Sequence, residues 1–276
     1  MQPLGLEGGV QLGCRLNSDG MPYLARQRFS PPVHLSKPYY DEDSESLLIN
    51  LSCPTAGLLA GDRMVCDVEV SEQASMVVTT PGATRSHYMR SGIAQVNQKF
   101  KVGDGAFLEF NPGSLILQKS TSLVQCTQID ADKNAEILYV EKILPGRIAR
   151  GESFQFSRFT NRLKIHKNRR LILLENFDLT PEDNSIDSWR NSFPSPFYGC
   201  MYLISPKVSS ELPCRDSIHG LMNDRLLVGA TSMHRKAGWT IKVLAGDPFE
   251  FRKTMKEIRE LLYKSIGRTP TNFRRY

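Results

Sequence analysis

The 276-residue chain contains no run approaching the roughly 18 consecutive apolar residues of a membrane span. Its opening, MQPLGLEGGVQLGC, has neither a basic start nor a continuous apolar segment, so no signal peptide is expected. The six cysteines (14, 53, 66, 126, 200 and 214) form no CxxC pair and no Cys/His set of zinc-finger spacing. Thiols scattered this way suit small core residues in a reducing compartment, and a cytoplasmic location is the expectation. Nucleotide and hydrolase signatures are missing as well. There is no GxGxxG, no glycine loop closed by Lys-Ser/Thr and no GxSxG elbow. Acidic excess is also missing. The net charge is +6, and basic residues gather in RLKIHKNRR (Arg162 to Arg170) and FRRY (Phe273 to Tyr276). Neither cluster interleaves the aromatics that a nucleic-acid reader needs. Modest positive charge suits docking on an acidic protein partner, while the 162–170 cluster also reads as a solvated hairpin turn.

What is present is a period of two. MVCDVEV sets Met64, Cys66, Val68 and Val70 on one face, with Asp67 and Glu69 on the other. AQVNQKFKV sets Ala94, Val96, Phe100 and Val102 against Gln95, Asn97, Lys99 and Lys101. SMVVTT, AFLEF, AEILYVEKI, SFQFSRF, RLKIH, LILLE, CMYLI, LLVGAT and WTIKVLA also read as strands, separated by turns such as VGDG, NPGS, ADKN and HKN. Short strands at this density imply a sandwich, a barrel or a stacked β-solenoid. No fixed-length repeat demands a regular β-helix. One helix is clear, in DPFEFRKTMKEIRELLYKSIG. Asp247 reads as its N-cap, Pro248 as the first helical residue, Glu250 as the third, and Gly267 as the stop. Phe251, Met255, Ile258 and Leu262 make its apolar face. Pro181 to Phe197 reads as a long loop rather than a boundary, because strands resume after it, so residues 1–276 are expected to form a single domain.

Three stretches carry candidate chemistry. In GLLAGDRM, Asp62 follows a glycine step at the mouth of a strand, where it caps the turn through backbone amides or offers a hard oxygen ligand. In TTPGATRSH, Ser86 and His87 are adjacent, which is the wrong geometry for a Ser–His pair. In EKILPGRIARGE, two carboxylates, two arginines and a lysine surround a Pro-Gly turn. Glu141 shares a pleat face with Ile137, Tyr139 and Ile143, and Glu175 continues the face of Leu171 and Leu173. Ionised carboxylates on apolar faces must be paired or protonated. Arg147 and Arg150 stand within reach of Glu141 and Glu152. Such residues form structural ion pairs, the commoner case, or line a wet internal passage. The five histidines (34, 87, 166, 219 and 234) are isolated in sequence.

Taken in order, AGLLAGD (56–62), TTPGATRSHY (79–88), GAFLEFNPGSLIL (105–117), LYVEKILPGRIARGESF (138–154), the segment at 172–179 and GATSMHRKAGWTIKVLAGD (229–247) with its closing helix resemble the urease accessory protein UreD (UreH) family. The resemblance implies a mainly β fold of two stacked β-sheet layers resembling a β-helix, with a C-terminal α-helix and few others. It implies a non-enzymatic scaffold that binds urease apoenzyme with UreF-like and UreG-like accessory proteins, away from nucleic acid and membrane, and helps deliver nickel to urease. No resident cofactor is implied, only Ni2+ in transit. The matching passage positions are Asp62, Glu141 and Glu175 as metal-facing carboxylates and Thr84 as further polar lining, with Arg147, Arg150 and Glu152 bracing the turn. Two other classes also fit the residues. One is a stand-alone metal-dependent enzyme using Asp62, Glu141 and a histidine. The other is a β-sandwich binding module with no link to metal.

Overall fold

A computed structural model of the chain describes residues 5–55, 57–182, 187 and 196–273. The first strands are β1 (Glu7–Leu16), β2 (Pro22–Ser30), β3 (His34–Leu35), β4 (Tyr39–Asp41) and β5 (Ser46–Ser52). The winding part follows, with β6 (Arg63–Val70), β7 (Ser75–Thr79), β8 (Thr84–Ser86), β9 (Ala94–Val102) and β10 (Phe107–Asn111). It continues through β11 (Leu115–Leu117), β12 (Ser122–Ala131), β13 (Glu136–Leu144) and β14 (Arg158–Lys167). After β15 (Arg170–Leu179) come β16 (Phe197–Ile204), helix α1 (Arg215–His219), β17 (Leu226–Ser232), β18 (Trp239–Ala245) and helix α2 (Pro248–Ser265).

From β5 onward the chain alternates between two sheets. β1, β6, β9, β12 and β14 stack in parallel in the first. β5, β7, β10 and β13 stack in parallel in the second. The path is a β-solenoid of about four turns, the mainly β two-layer architecture expected from the sequence. Short β8 and β11 make a narrow third side. Ser75, Phe107 and Glu136 stand side by side although they lie at unequal intervals in the chain. Corners of unequal length therefore hide the repeat from sequence. Antiparallel strands finish the sheets: β2 and β15 flank the first, and β16, β18 and β17 extend the second.

The main core lies between the sheets. Leu12, Val68, Phe100, Ile129 and Ile165 meet Met76, Leu108, Ile137 and Tyr139 there. The second sheet is also buried on its outer face, where Leu48, Val77, Phe107, Leu138 and Val140 lie in one cluster with Phe251, Met255, Ile258 and Leu262 of α2. A strand buried on both faces needs apolar residues at consecutive positions, and SMVVT and EILYV read that way. α2 begins as its sequence requires. Asp247 Oδ1 accepts from the Phe249 and Glu250 amides at 2.8 and 2.9 Å, Pro248 opens the helix, and Gly267 follows it at φ 64°.

Two sequence expectations change. SFQFSRF is extended only from Arg158, because Phe154 takes φ 49° and the buried Phe154 and Phe156 fill a corner. Leu171 does not share the face of Glu175. A register shift between Ile165 and His166 turns it outward, where it is 48% exposed, and buries Ile172 in its place. The early strands were illegible, since Gly8, Gly9 and Gly13 interrupt the apolar pattern of β1. Most of the 181–197 loop lies outside the described residues. Among the described residues no helix is long and apolar enough to cross a membrane.

Candidate functional site

Stacking brings together polar residues far apart in sequence. On the inner face of the first sheet, Cys66, Gln98, Thr127, Leu163 and Glu175 lie side by side. The next row holds Met64, Val96, Gln125 and Asn161. Across the core, the second sheet presents Tyr139 beside Tyr202, and Glu141 beside Cys200 and then Lys242. The facing polar groups form a seam inside an otherwise apolar core, with one hydrogen-bonded set around Glu141 and another around Glu175.

Glu141 is its centre, 5% exposed. Asn161 Nδ2 donates to both carboxylate oxygens at 3.1 and 3.2 Å, and Gln125 Nε2 donates to Oε1 at 3.2 Å. The Tyr139 hydroxyl stands 3.2 Å from Glu141 Oε1 and 2.9 Å from Gln98 Oε1, which also accepts from Thr127 at 2.9 Å. Neither Arg147 nor Arg150 reaches Glu141, which forms no ion pair among the described residues. Burial pushes its carboxyl up to about 7, against the pull of hydrogen bonds from Asn161 and Tyr139, and the nearby Glu175 charge adds to the rise. A carboxyl in this setting gains or loses its proton near neutral pH.

The seam reaches the surface through Glu175. Tyr202 donates to Glu175 Oε2 at 2.6 Å, and Lys242 pairs with Oε1. The Glu175 side chain is 14% exposed and that of Lys242 46%. Polarity thus grades from an enclosed carboxyl to a solvent-facing ion pair. Cys200 lies between them, with burial raising its thiol well above the ordinary range. Among the described residues no three of His, Cys, Asp and Glu gather closely enough to hold a metal ion. The seam offers two carboxylates among neutral donors.

The other expected residues sit elsewhere. Both Asp62 oxygens are occupied by backbone amides, Oδ1 by Leu6 at 2.9 Å and Oδ2 by Leu59 at 2.7 Å, so Asp62 ties the first strand to the turn before β6. Thr84 opens β8 beside Leu115, half-buried, and hydrogen-bonds to no member of the seam among the described residues. Arg147 clamps Glu152 through Nε at 2.7 Å and Nη2 at 2.8 Å, holding the Glu152 carboxyl down to about 2. Gly146 permits the turn: its φ is 153°, and a side chain there would run into the Glu152 carbonyl. Arg150 lies exposed in the 3-10 turn Ile148–Arg150, outside this clamp.

A model of the UreD urease accessory protein family matches residues 7–275. The chain belongs to this family. It is 34% identical to the urease accessory protein UreD of Opitutus terrae, over 97% of this chain and 98% of that protein. It is 25% identical to that of Acetivibrio thermocellus, over 89% and 94%. It is 30% identical to the urease accessory protein UreH of Helicobacter hepaticus, over 62% and 68%. Of the four polar positions the UreD resemblance had suggested, the fold joins Glu141 and Glu175 in one seam and leaves Asp62 and Thr84 outside its hydrogen bonds. Sequence reasoning missed Gln98, Gln125, Tyr139 and Asn161. The available signal was a polar side chain at an inward pleat position: Gln98 falls between Val96 and Phe100, and Asn161 between Phe159 and Leu163.

Proposed function

We infer that the chain acts in urease maturation, a role that membership in the urease accessory family supports. We propose that the chain is a non-enzymatic scaffold that holds urease apoenzyme together with UreF-like and UreG-like accessory proteins, with Ni2+ as cargo passing along the seam. The observation that carries this reading is Glu141. It is a buried carboxyl held by neutral donors alone, and its charged neighbour Glu175 belongs to the Glu175–Lys242 pair at the surface. An arriving dication favours the ionised form of Glu141 and displaces its proton. Two carboxylates and neutral oxygens bind nickel without the tight hold of several imidazoles or thiolates, so the ion leaves again. No nucleophile is required, in keeping with the chemistry of the seam residues.

The test is co-expression of the tagged chain with urease subunits and the accessory proteins. Urease and the UreF-like protein should copurify with it. Glu141→Gln should leave that complex intact while lowering nickel per urease, and urease activity, several-fold. Copurification of neither partner would overturn the scaffold role. Full nickel loading with Glu141→Gln would overturn the passage.

A further inference from the structure

Three turns that are distant in sequence meet at one end of the solenoid around an open hollow of about 710 Å³. The turn between β12 and β13 supplies Lys133, the β14–β15 hairpin supplies Lys167 and Arg170, and the 3-10 turn before β18 supplies His234 and Arg235. Among the described residues no acidic side chain lines the hollow. None of these five residues forms an ion pair among the described residues, although Lys133 lies close enough to Asp104 to help hold that carboxyl ionised, after hydrogen bonds from Asn134. The Arg235 side chain donates to His234 Nε2 at 3.1 Å, so the imidazole's partner is itself a cation.

A second hollow, of about 740 Å³, makes the contrast. It is lined in part by Glu69, Lys101, Asp130 and His166, and there Lys101 pairs with Glu69 and His166 with Asp130. Its lining mixes acids with bases, whereas the charged groups lining the first hollow are all basic among the described residues. Backbone conformation points the same way. Asn168 and Arg235 in the first hollow hold φ values of 48° and 56°, where glycine would sit without strain. At Arg235 a bulky cation is retained in that position.

The floor decides the kind of anion. Ile172 lies beneath, and the bulge in β15 turns Leu171 outward beside it, leaving apolar surface among the cations. A phosphate group would leave that surface uncovered. A peptide that alternates carboxylates with apolar side chains covers both, and the volume suits a few side chains. We propose that this hollow docks a carboxylate-rich, partly apolar segment of a protein partner. The site is separate from the Glu141 seam, and its test does not depend on nickel passage.

The probe is a fluorescein-labelled peptide of alternating glutamate and leucine, titrated with the full chain and followed by fluorescence anisotropy. With salt held at about 0.1 M, Arg170→Glu with Arg235→Glu should weaken binding about tenfold or more. Arg252→Glu with Lys253→Glu, an equal charge change on exposed residues of α2, should shift it by less than about twofold. Circular dichroism establishes that both doubles are folded. Equal weakening by the two pairs would assign the affinity to net charge and overturn the site. If tripolyphosphate or an all-glutamate peptide binds as tightly, the apolar floor contributes nothing and the peptide assignment fails.

Discussion

Glu141 and Glu152 are eleven places apart around one turn, yet their environments push them in opposite directions. Glu152 meets a guanidinium and amides and stays ionised; Glu141 meets neutral donors in the core and is pushed up to about 7. An ordinary glutamate in the unfolded chain ionises near about 4.3. Between that value and about 7, the folded chain keeps a proton that the unfolded chain has lost, so stability falls as pH rises through this window. Above it the cost is of order 2–4 kcal/mol. Glu141→Gln should therefore melt at a higher temperature than the parent at pH 8, with the gap closing as the pH falls toward about 4. A gap independent of pH would place the raised carboxyl elsewhere. For Glu152 the sign reverses. Its folded carboxyl lies below the unfolded value, so its contribution is present above about pH 4.3 and fades as pH falls toward about 2. Glu152→Gln should lower the melting temperature at pH 7, and the deficit should shrink in acid.

At the scale of elements, α2 carries a second buried charge system on the outer side of the second sheet. Arg259 meets Glu109 of β10 through Nε and Nη2, both at 2.6 Å, and the Tyr263 hydroxyl donates to Glu109 at 2.5 Å. Glu109 is fully buried. Asn111 joins it at 2.9 Å and in turn accepts from Lys142, which burial pulls down to about 8. The pair fixes where the helix lies along the sheet, which apolar packing alone leaves loosely specified. Arg259→Met should cost about 3–5 kcal/mol by stranding the Glu109 charge, and Glu109→Leu with Arg259→Met should recover most of it. Denaturant unfolding of the two singles and the double measures this directly. Additive losses would mean that the pair is not coupled. The start of α2 is simpler: Asp247→Ala removes the oxygen that accepts from two backbone amides and should cost about 1 kcal/mol.

At the scale of the whole molecule, the solenoid depends on what covers it. The second sheet would present Leu48, Val77, Phe107, Leu138 and Val140 to water if the chain after β15 were removed. The edge of β13, now paired with β16, would open as well. A chain ending at Leu179 should therefore aggregate although it retains the stacked coils. Sedimentation of the truncated and full chains after equal expression measures the difference, and a soluble monomeric truncation would refute the dependence. The other edges carry their own protection. β2, an edge of the first sheet, carries exposed Arg26 and Arg28, which discourage further strand addition.

The sequence by itself determined the period-two strands, the capped helix with its apolar face at Phe251, Met255, Ile258 and Leu262, and the family. Each of these rests on neighbours in the chain or on motifs kept in order. It also marked Glu141 as a carboxylate on an apolar face, since pleat alternation is local. Only the tertiary structure decided what Glu141 meets. Its donors come from β12, β13 and β14, brought side by side by coils of unequal length, and no local pattern records that stacking. The turn beside it holds two arginines within sequence reach of Glu141, but a bidentate pair commits Arg147 to Glu152 and leaves Glu141 to amides and a phenol. One bulge in β15 similarly exchanged Leu171 for Ile172 in the core. Alternation can be read along a strand, whereas register is set between strands.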